Sequence, residues 1–337
     1  MRVLFIGGTG NISGAVSRMA VERGIELVLL NRGRHGTVPG ARSLAADYAD
    51  DRAVEAALGT TTFDAVVNWI AFTPDQVERD ERLFAPRTRQ YVFISSASAY
   101  EKPPRSPFIT ESTPLKNPWW QYSRDKIACE DALVRAWRER DFPVTIVRPS
   151  LTYDTHLPIA IGGWGCATLL DRLRSGRPII VHGDGTSLWT VTHAEDFAKG
   201  FLGLLGHPAA IGEAFHITSD EVLTWNRIYD TIADALGAPA NVVHVPSDFV
   251  HRVDREMGAG LLGDKAHSVV FDNSKIKRLV PGFVATIPFH EGIRRTIAWF
   301  EAEASRWVVK AEVQAAMDRV LAAWEGTTAR TAAAPGR

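Results

Sequence analysis

MRVLFIGGTGNISGAVSRMAVERGIELVLLNRGR, residues 1–34, is the stretch that decides the fold of this 337-residue chain. Its residues 2–6 form a short apolar run rich in β-branched and aromatic side chains, which predicts a buried parallel strand. Residues 7–14 are glycine-rich, and residues 15–23 carry apolar side chains at helical spacing. A second apolar run over residues 25–30 predicts the next strand. The stretch is therefore a strand, a glycine-rich turn, a helix and a second strand.

The glycine-rich turn has the features of a dinucleotide-binding loop. Gly7 lets the chain turn sharply out of the strand, and Gly10 leaves room for the backbone to approach a pyrophosphate at the positive end of the helix. Ser13, followed by Gly14, is small enough to let that helix pack on the strand. A glycine-rich loop without a ligand is the alternative, but the flanking strand and helix favour a nucleotide. The expected cofactor contacts in this loop are Gly7, Thr9, Gly10, Asn11 and Ile12.

The residues after the second strand bear on which dinucleotide binds. An acidic residue at this point would hold the ribose 2′-hydroxyl of NAD, whereas this chain has Asn31 followed by Arg32 and Arg34. Two guanidinium groups suit a 2′-phosphate, which slightly favours NADP. Alternatively, the arginines are solvated and Asn31 hydrogen-bonds the ribose, so the expected cofactor is NAD or NADP.

Further apolar runs alternate with helical patterns along the first half of the chain. This alternation predicts an α/β fold with a doubly wound parallel sheet of the Rossmann type. Ligands of such sheets lie at the carboxyl ends of the strands, where Gly10, Ser96, Tyr122 and Pro149 would meet. The later strands are expected at residues 44–48, 63–71, 89–94 and 144–149. Helices are expected at residues 51–58 and 74–84 and, later in the chain, from the cap Thr224 to Leu236.

The pattern becomes less regular after the sixth strand, which predicts a second, smaller α/β domain that covers the substrate. We expect the Rossmann domain at 1–155, with returning segments near 186–217, and the partly interleaved C-terminal substrate domain at 156–300. A C-terminal helix is expected at 301–325, and a polar, alanine-containing disordered tail at 326–337.

Composition excludes several classes of function. Charged residues make up 23% of the chain and its formal net charge is −1, so it has no electrostatic footprint for nucleic acid or an acidic membrane. The two cysteines, Cys129 and Cys166, cannot build a disulfide framework. No signal peptide precedes the first strand and no apolar run approaches the length of a membrane span, so we expect a cytoplasmic protein. The histidines lack metal-ligand spacing, and no metal is expected.

A second group of residues supplies chemistry. Tyr122 and Lys126 are four residues apart on a predicted helix and so share one face. The lysine ammonium would lower the pKa of the Tyr122 phenol, and Ser96 would polarise the same substrate oxygen. A tyrosine that takes a proton from an alcohol while a nicotinamide takes the hydride would complete an oxidation. Alone, a Tyr-x-x-x-Lys pair is usually an ordinary helix surface, but after a nucleotide-binding loop it is a strong signal.

With these residues assembled, the chain resembles the extended short-chain dehydrogenase/reductase family, of the NAD-dependent epimerase/dehydratase type. The resemblance covers about residues 1–300. It implies a Rossmann domain with a small C-terminal substrate domain, and homodimers built from two helices per subunit. The matching positions are the Gly7–Gly14 loop, Asp47, Ser95-Ser96 before Tyr100, Tyr122 and Lys126, Arg148-Pro149, Gly183-Asp184-Gly185, His193, Asp196 and residues 272–275.

The resemblance also implies roles for individual residues. Tyr122 would be the general base and acid, Lys126 would orient the ribose and tune Tyr122, and Ser96 would hold the reacting oxygen. Asp47 would hold the adenine. The other expected cofactor contacts are Tyr48, Ala71 and Pro149, and the candidate substrate contacts are Ser98, Trp164, Trp189 and His193.

Three departures from the family pattern concern the substrate. Sugar 4,6-dehydratases carry an acidic pair where this chain has Ala97 and Ser98, so dehydration is not expected. Members that bind nucleotide sugars usually have an arginine where Trp189 stands, and often an asparagine where Leu151 stands. A smaller sugar, a sugar acid or another hydroxy-ketone compound fits these losses as well.

The predicted function is that of an NAD(P)-dependent epimerase or oxidoreductase that transfers a hydride at a secondary hydroxyl of a carbohydrate-like substrate. One alternative is an NADPH-dependent carbonyl reductase or dehydrogenase of a small hydroxy or keto compound. An alternative of another class is a non-catalytic NAD(P)-binding sensor or RNA-binding protein, since the family includes both. The intact Ser96, Tyr122 and Lys126 and the near-zero charge argue against that alternative.

Overall fold

Alternating strands and helices build the first half of the chain, as the hydrophobic pattern predicts. The computed structural model describes residues 1–33 and 36–333. In chain order, the elements of this half are β1 (Arg2–Ile6), α1 (Ser13–Glu22), β2 (Glu26–Asn31), β3 (Arg42–Ala45), α2 (Asp51–Leu58), β4 (Ala65–Asn68), α3 (Pro74–Phe84), β5 (Tyr91–Ile94), β6 (Phe108–Ile109), α4 (Gln121–Arg140) and β7 (Val144–Pro149).

The second half contains shorter strands and more helices, together with a π-helical turn at Leu261–Lys265. Its elements are β8 (Leu151–Tyr153), α5 (Thr168–Arg174), β9 (Ile179–His182), β10 (Leu188–Trp189), β11 (Val191–His193), α6 (Ala194–Leu204), β12 (Ala214–Ile217), β13 (Leu223–Thr224), α7 (Trp225–Leu236), β14 (Val242–Val245), α8 (Ser247–Val253), α9 (Arg255–Gly260), β15 (Val270–Phe271), α10 (Ser274–Leu279), α11 (Phe289–Ala302) and α12 (Ala311–Ala333).

Seven parallel strands form one sheet in the order β12-β7-β5-β4-β1-β2-β3. The connections change direction between β1 and β4, which is the switch point at which doubly wound sheets bind ligands. The predicted fold class is thereby confirmed. β12 comes from the second half of the chain, yet it completes the sheet by pairing with β7, with Ala214 beside Ile146 and Ile217 beside Pro149.

Helices cover both faces of the sheet, which explains the continuous apolar runs. Residues 3–6 of β1 are fully buried, as expected for a central strand with helices on both sides. On one face, Val16 of α1 and Phe197 of α6 belong to the same buried cluster. On the other face, Val77 of α3 and Leu133 of α4 belong to a second cluster. The helix that follows the glycine-rich loop is therefore held in place by a helix from the second half of the chain.

Side-chain caps explain why some helices begin where the sequence predicts. Asp50 Oδ1 accepts a hydrogen bond from Ala53 N at 3.1 Å and so caps α2. Thr224 Oγ1 accepts one from Arg227 N at 3.1 Å, which confirms Thr224 as the predicted cap of α7. Both caps satisfy backbone N–H groups that the first turn of a helix leaves unpaired.

A smaller α/β unit lies beside the sheet and packs around Trp189 and Trp225. Both indole rings are buried, and their centroids are 5.5 Å apart. The strands of this unit form two-stranded ladders, parallel for β9 and β14 and antiparallel for β10 and β13. Within the described residues, no helix combines the length and the apolar character needed to cross a membrane.

The C-terminus differs from the single helix predicted at 301–325. α11 ends early in this range. A segment with a 3₁₀ turn at Ala304–Arg306 follows, after which Lys310 N donates a hydrogen bond to Thr168 Oγ1 at 3.0 Å. This segment bonds to the start of α5 instead of to a preceding helical turn, so α12 begins only after it. Residues 326–333 are helical rather than disordered, and residues 334–337 lie outside the described part of the chain.

Candidate active site

The glycine-rich loop lies between β1 and α1 at the switch point of the sheet. Gly7 and Gly8 have φ angles of +94° and +101°, which side chains disfavour. A Cβ atom on Gly8 would lie 2.7 Å from Leu29 Cδ2, so the packing of the loop on β2 also requires glycine. Helix α1 begins without a side-chain cap, so no side-chain acceptor competes with a phosphate at its positive end. This loop therefore fits the pyrophosphate of a dinucleotide.

The side chain of Asn11 serves the loop in a way that the sequence did not predict. Its Nδ2 donates a hydrogen bond to Thr152 O at 3.0 Å. Its Oδ1 accepts hydrogen bonds from the backbone amides of Asp154, Thr155 and His156, at 3.0, 3.1 and 3.2 Å. The expected cofactor contact is therefore corrected for this side chain, which instead ties the loop to the segment after β7. The backbone of Asn11 stays in the dinucleotide loop.

The residues expected near the adenosine ribose lie at the ends of β2 and β3. Asn31 Oδ1 accepts a hydrogen bond from Gly33 N at 2.8 Å, and Arg32 is exposed. Asp47 is also exposed, and its Oδ1 accepts from Ala49 N at 3.1 Å. These side chains are free to turn toward a ligand at the carboxyl edge of the sheet. Arg34, the second candidate for a 2′-phosphate, lies outside the described residues.

The Tyr48 hydroxyl belongs to a buried hydrogen-bond network. Its hydroxyl donates to Asp80 Oδ1 at 2.9 Å and accepts from Asn68 Nδ2 at 2.7 Å. The Tyr91 hydroxyl donates to the same carboxylate at 2.5 Å. Burial raises the pKa of Asp80 to about 6. Packing between β4 and α3 turns the Tyr48 hydroxyl away from solvent, and the cofactor role of Tyr48 stays a prediction.

Lys126 lies inside the protein at the carboxyl ends of two sheet strands. Its Nζ donates hydrogen bonds to Ala71 O and to Ile94 O, each at 2.7 Å, and so joins the segment that follows β4 to the last residue of β5. Ala71, a predicted cofactor contact, thus contacts Lys126 directly. Burial lowers the pKa of Lys126 to about 8. An ammonium in this position can reach a ribose that lies across the switch point.

Tyr122 and Ser96 meet at this edge of the sheet, as the sequence predicts. Ser96 lies close enough to the Tyr122 hydroxyl to act on its pKa, and Lys126 Nζ lies 5.8 Å from the centroid of the Tyr122 ring. Burial raises the pKa of Tyr122 to about 12, and Ser96 acts in the opposite direction. The expected lowering of this pKa by Lys126 is therefore not found, because the loss of solvation is the largest effect.

Three serines form a short hydrogen-bonded chain behind Tyr122. Ser98 Oγ lies 2.9 Å from Ser96 Oγ and accepts a hydrogen bond from Ser123 Oγ at 2.7 Å. Ser98 is buried, so its predicted substrate contact is corrected to a positioning role for the Ser96 hydroxyl. The 3₁₀ turn Ala97–Ala99 directs Ser98 inward, whereas Ser96 remains half-buried.

Two other predicted substrate contacts are core residues. His193 is buried at the start of α6, where Nδ1 accepts a hydrogen bond from Glu195 N at 3.3 Å. Burial lowers the pKa of His193, and its ring packs edge-on against Tyr153. Trp189 is 1% exposed and packs on Trp225. Tertiary packing therefore assigns both side chains to the interior.

Trp164 and Pro149 occupy opposite environments. Trp164 is exposed in the loop before α5, with its ring centroid 4.7 Å from that of His156. The backbone amide of His156 also donates a hydrogen bond to Asn11 Oδ1. His156 therefore links Trp164 to the dinucleotide loop. Pro149 is buried at the end of β7. The substrate role of Trp164 and the cofactor role of Pro149 stay predictions.

Asn117 joins three parts of the site and was not predicted. Its Nδ2 donates to Ser98 O at 2.9 Å and to Gly263 O at 2.6 Å. Its Oδ1 accepts hydrogen bonds from the backbone amides of Trp119 and Trp120, just before α4. The π-helical turn of the smaller unit is thereby fixed to the serine segment and to the helix that carries Tyr122. The only sequence signal was the Asn-Pro pair, which is typical of a turn.

A dinucleotide loop at the switch point, with Ser96, Tyr122 and Lys126 at the same sheet edge, defines the class of the extended short-chain dehydrogenases/reductases. The sequence model of the NAD-dependent epimerase/dehydratase family matches residues 3–218, and the chain belongs to this family. The predicted family and the prediction of an NAD-dependent enzyme are thereby confirmed.

Proteins similar in sequence to this chain are named for different activities. The 2′-dehydrokanamycin reductase of Streptomyces kanamyceticus is 27% identical, with 84% of this chain and 80% of the relative covered. The chloroplast stem-loop binding protein of 41 kDa b of Arabidopsis thaliana is also 27% identical, with 74% and 67% covered. The crystal structure of dTDP-glucose 4,6-dehydratase from Bacillus anthracis in complex with NAD superposes with a TM-score of 0.71 at 17% identity, and 91% and 98% of the two chains are covered. This last likeness concerns the fold.

Proposed function

We propose that the protein is an NAD(P)-dependent epimerase or oxidoreductase that transfers a hydride at a secondary hydroxyl of a carbohydrate-like substrate. The observation that carries this proposal is the convergence of Ser96 and Lys126 on Tyr122 at the edge of the sheet where the dinucleotide loop lies. When bound, the nicotinamide supplies a hydride acceptor or donor. The protein supplies the proton and the position of the substrate oxygen.

Tyr122 is suited to hold the transferred proton. With a pKa of about 12, the phenol is protonated at neutral pH, which is the state required to give a proton to a carbonyl oxygen. In the opposite direction, the Lys126 ammonium would stabilise the phenolate. Ser96 donates or accepts a hydrogen bond at the same substrate oxygen, and its own hydroxyl is oriented by Ser98.

The residues around Tyr122 also narrow the reaction. Ala97 is buried and apolar, and Ser98 is committed to its neighbours, so neither can supply the acidic pair that elimination of water requires. This supports epimerisation or simple reduction over dehydration. The apolar Trp189, buried on Trp225, supports a substrate smaller than a nucleotide sugar.

A net reductase is the second candidate, and two observations favour it. Asn31 and the exposed Arg32 stand where an acidic residue would select NAD, which supports NADP. The relative from Streptomyces kanamyceticus is a reductase by name and matches 84% of this chain. NADPH would suit such a reaction as the reductant.

A non-catalytic RNA-binding role is the weakest candidate. The relative from Arabidopsis thaliana is named for binding a stem-loop. The net charge of −1 and the retained Ser96, Tyr122 and Lys126 weigh against such a role.

We place the enzyme in the cytoplasm as a homodimer. The two buried free cysteines support the cytoplasmic location. The helices α3 and α4 pack side by side and would form the dimer contact.

The test begins with mass spectrometry of the nicotinamide and small molecules that co-purify with the protein. A panel of sugars and sugar acids is then followed at the nicotinamide absorbance. An epimerase should retain its nicotinamide and interconvert two isomers without net absorbance change. Consumption of freely exchanging NADPH in proportion to product would identify the reductase and overturn the epimerase.

Tyr122→Phe is the decisive variant. It should lower kcat about 100-fold or more, the usual contribution of a general acid or base, while cofactor binding persists. Tyr153→Phe is the matched control, because the Tyr153 hydroxyl has no hydrogen-bond partner in the part of the chain that the structure describes. Unchanged turnover in Tyr122→Phe would overturn the enzymatic proposal.

A further inference from the structure

Two lysines share one carboxylate in the interior, next to the catalytic helix. Lys102 Nζ lies 3.4 Å from Asp264 Oδ1, and Lys265 Nζ lies 3.2 Å from Asp264 Oδ2. The three side chains are largely shielded from solvent, at 1% exposure for Lys102, 12% for Asp264 and 14% for Lys265. We refer to Lys102, Asp264 and Lys265 as the lysine cluster.

The lysine cluster is close to Tyr122. Lys265 Nζ lies 5.3 Å from the centroid of the Trp120 ring, which in turn lies 4.9 Å from the ring of Tyr122. The charge of Asp264 also acts on the Tyr122 hydroxyl and raises its pKa, by less than burial does. Asn117 fixes the turn that carries Asp264 and Lys265 to the start of α4, so this proximity is built into the fold.

The cluster carries an excess of positive charge. Two ammonium groups face one carboxylate, which leaves a net charge of about +1 when all three are ionised. Burial lowers the pKa of Lys102, and Asp264 is the carboxylate that opposes this effect. A buried, incompletely neutralised cation is costly unless a further anion approaches it. The cluster is therefore prepared for a negatively charged group.

Segments that flank the cluster line a cavity of about 500 Å³. Pro104, Ala266 and His267 line it, and each is within two residues of Lys102 or Lys265 in the chain. The Ser268 hydroxyl can donate a hydrogen bond there, whereas the N–H of the neutral His182 ring is used on Lys265 O, and the Asp184 carboxylate also lines the cavity. The positive cluster and the cavity thus lie in neighbouring segments.

We propose that the lysine cluster binds an anionic substituent of the substrate, a carboxylate or a phosphate, so that the enzyme acts on a sugar acid or a sugar phosphate rather than on a neutral sugar. This inference rests on the proposed function, since it assigns the substrate class of the same site. Carboxylate and phosphate share the chemistry that ammonium groups recognise, and the probes below separate them.

The test is calorimetric titration of the protein loaded with NADP⁺ or NAD⁺, with D-glucuronate, D-glucose 6-phosphate and D-glucose as probes. We expect at least one anion to bind about tenfold or more tightly than glucose, as expected for a charge-assisted hydrogen bond. Lys265→Gln should remove this preference. Asp264→Asn frees both ammonium groups and should tighten anion binding about threefold or more.

Lys116→Gln is the matched control, because this lysine lies in the same region of the chain but is exposed. It should leave all three affinities unchanged. If Asp264→Asn fails to fold, Lys265→Gln alone decides the result. Preferential binding of glucose 6-phosphate over glucuronate would identify the anion as a phosphate, and the opposite preference would identify a carboxylate.

The inference is overturned if glucose and both anions bind equally, if Lys265→Gln weakens all three alike, or if neither anion binds below about 10 mM. Tyr122→Phe separates this failure from that of the proposed function. It should lose turnover and keep the anion preference. If it keeps turnover, the proposed function fails while the titration still reports on the lysine cluster.

Discussion

Asn11 Nδ2 lies 3.0 Å from the carbonyl oxygen of Thr152, and this hydrogen bond joins the dinucleotide loop to β8. A single side chain thereby fixes the glycine-rich loop to the strand β8, which follows β7. The same amide receives three backbone hydrogen bonds from residues 154–156 through its oxygen. The loop is therefore held in shape before a cofactor arrives.

Asn11→Ala should loosen this loop. The substitution leaves one carbonyl and three amides without their partner, so the free energy of unfolding should fall by about 1–3 kcal/mol. Affinity for NAD(P)H should also fall several-fold, as measured by fluorescence titration. Asn241→Ala is the control, because its amide makes one exposed hydrogen bond to Gly176 O. Equal urea unfolding of Asn11→Ala and the wild type would contradict the anchoring role.

Ser98→Ala should reduce turnover without affecting substrate affinity. The Ser96 hydroxyl would lose the partner 2.9 Å away that orients it. A neutral hydrogen bond of about 1 kcal/mol corresponds to a roughly fivefold lower kcat. KM should stay within twofold if Ser98 only positions Ser96. Ser112→Ala, on the exposed surface, controls for loss of a hydroxyl, and a large rise in KM would show direct substrate contact by Ser98.

Arg32→Glu should separate the two cofactors. If Arg32 holds a 2′-phosphate, the affinity for NADPH should fall about tenfold or more, because a charge-assisted hydrogen bond is replaced by repulsion. NADH affinity should be unchanged or higher. Arg89→Glu is the control. Arg89 precedes β5 and so lies at the amino ends of the strands, away from the cofactor edge, and reversing its charge should leave the affinity for both cofactors unchanged. Equal losses for NADH and NADPH would rule out recognition of the 2′-phosphate.

We expect the buried His182 to make the folded protein less stable in mild acid. Burial lowers its pKa to about 4, whereas the unfolded chain takes up the proton near pH 6.5. Its stabilising contribution is present above pH 6.5 and is lost as the pH falls toward 4, by about 1.4 kcal/mol at pH 5.5. Burial raises the pKa of Asp80 to about 6, so protonation of this carboxylate favours the folded state as the pH falls, which is the opposite effect. The comparison of His182→Gln with the wild type isolates the histidine.

The measurement for His182→Gln is urea unfolding at pH 8 and at pH 5.5. The variant should lose less stability between the two pH values than the wild type, by about 1.4 kcal/mol. The pH 8 value controls for the substitution itself, since the imidazole is neutral there in both states. Parallel losses in the two proteins would show that protonation of His182 is not coupled to unfolding.

The element boundaries that depend on neighbouring residues in the chain were predictable from the sequence. α2 and α3 begin and end at the predicted residues, and so does β7, because caps, a proline at the first helical position and unbroken apolar runs are local signals. Ser96, Tyr122 and Lys126 were found from spacing and from their place after a nucleotide loop. The sheet edge then brings them together.

Side-chain direction and long-range contacts were not predictable. Ser98 and Tyr48 lie next to residues of the expected site, but the 3₁₀ turn and the β4–α3 packing direct them into the interior. Lys102 and Asp264 are separated by more than 160 residues and have no periodic pattern in common. Only the folded chain places such charges 3.4 Å apart.

The contribution of β12 to the sheet has a consequence for biosynthesis. The strand that covers the open edge of β7 is synthesised only with residues 214–217, after α5, β9 and β10 of the smaller unit. Until Ile217 has left the ribosome, the nascent chain exposes the backbone N–H and C=O groups of β7 as an unpaired edge, which favours association with other chains. Helix α6, which supports α1, arrives in the same interval. The seven-stranded sheet is therefore completed late in translation, while the smaller unit is still being synthesised.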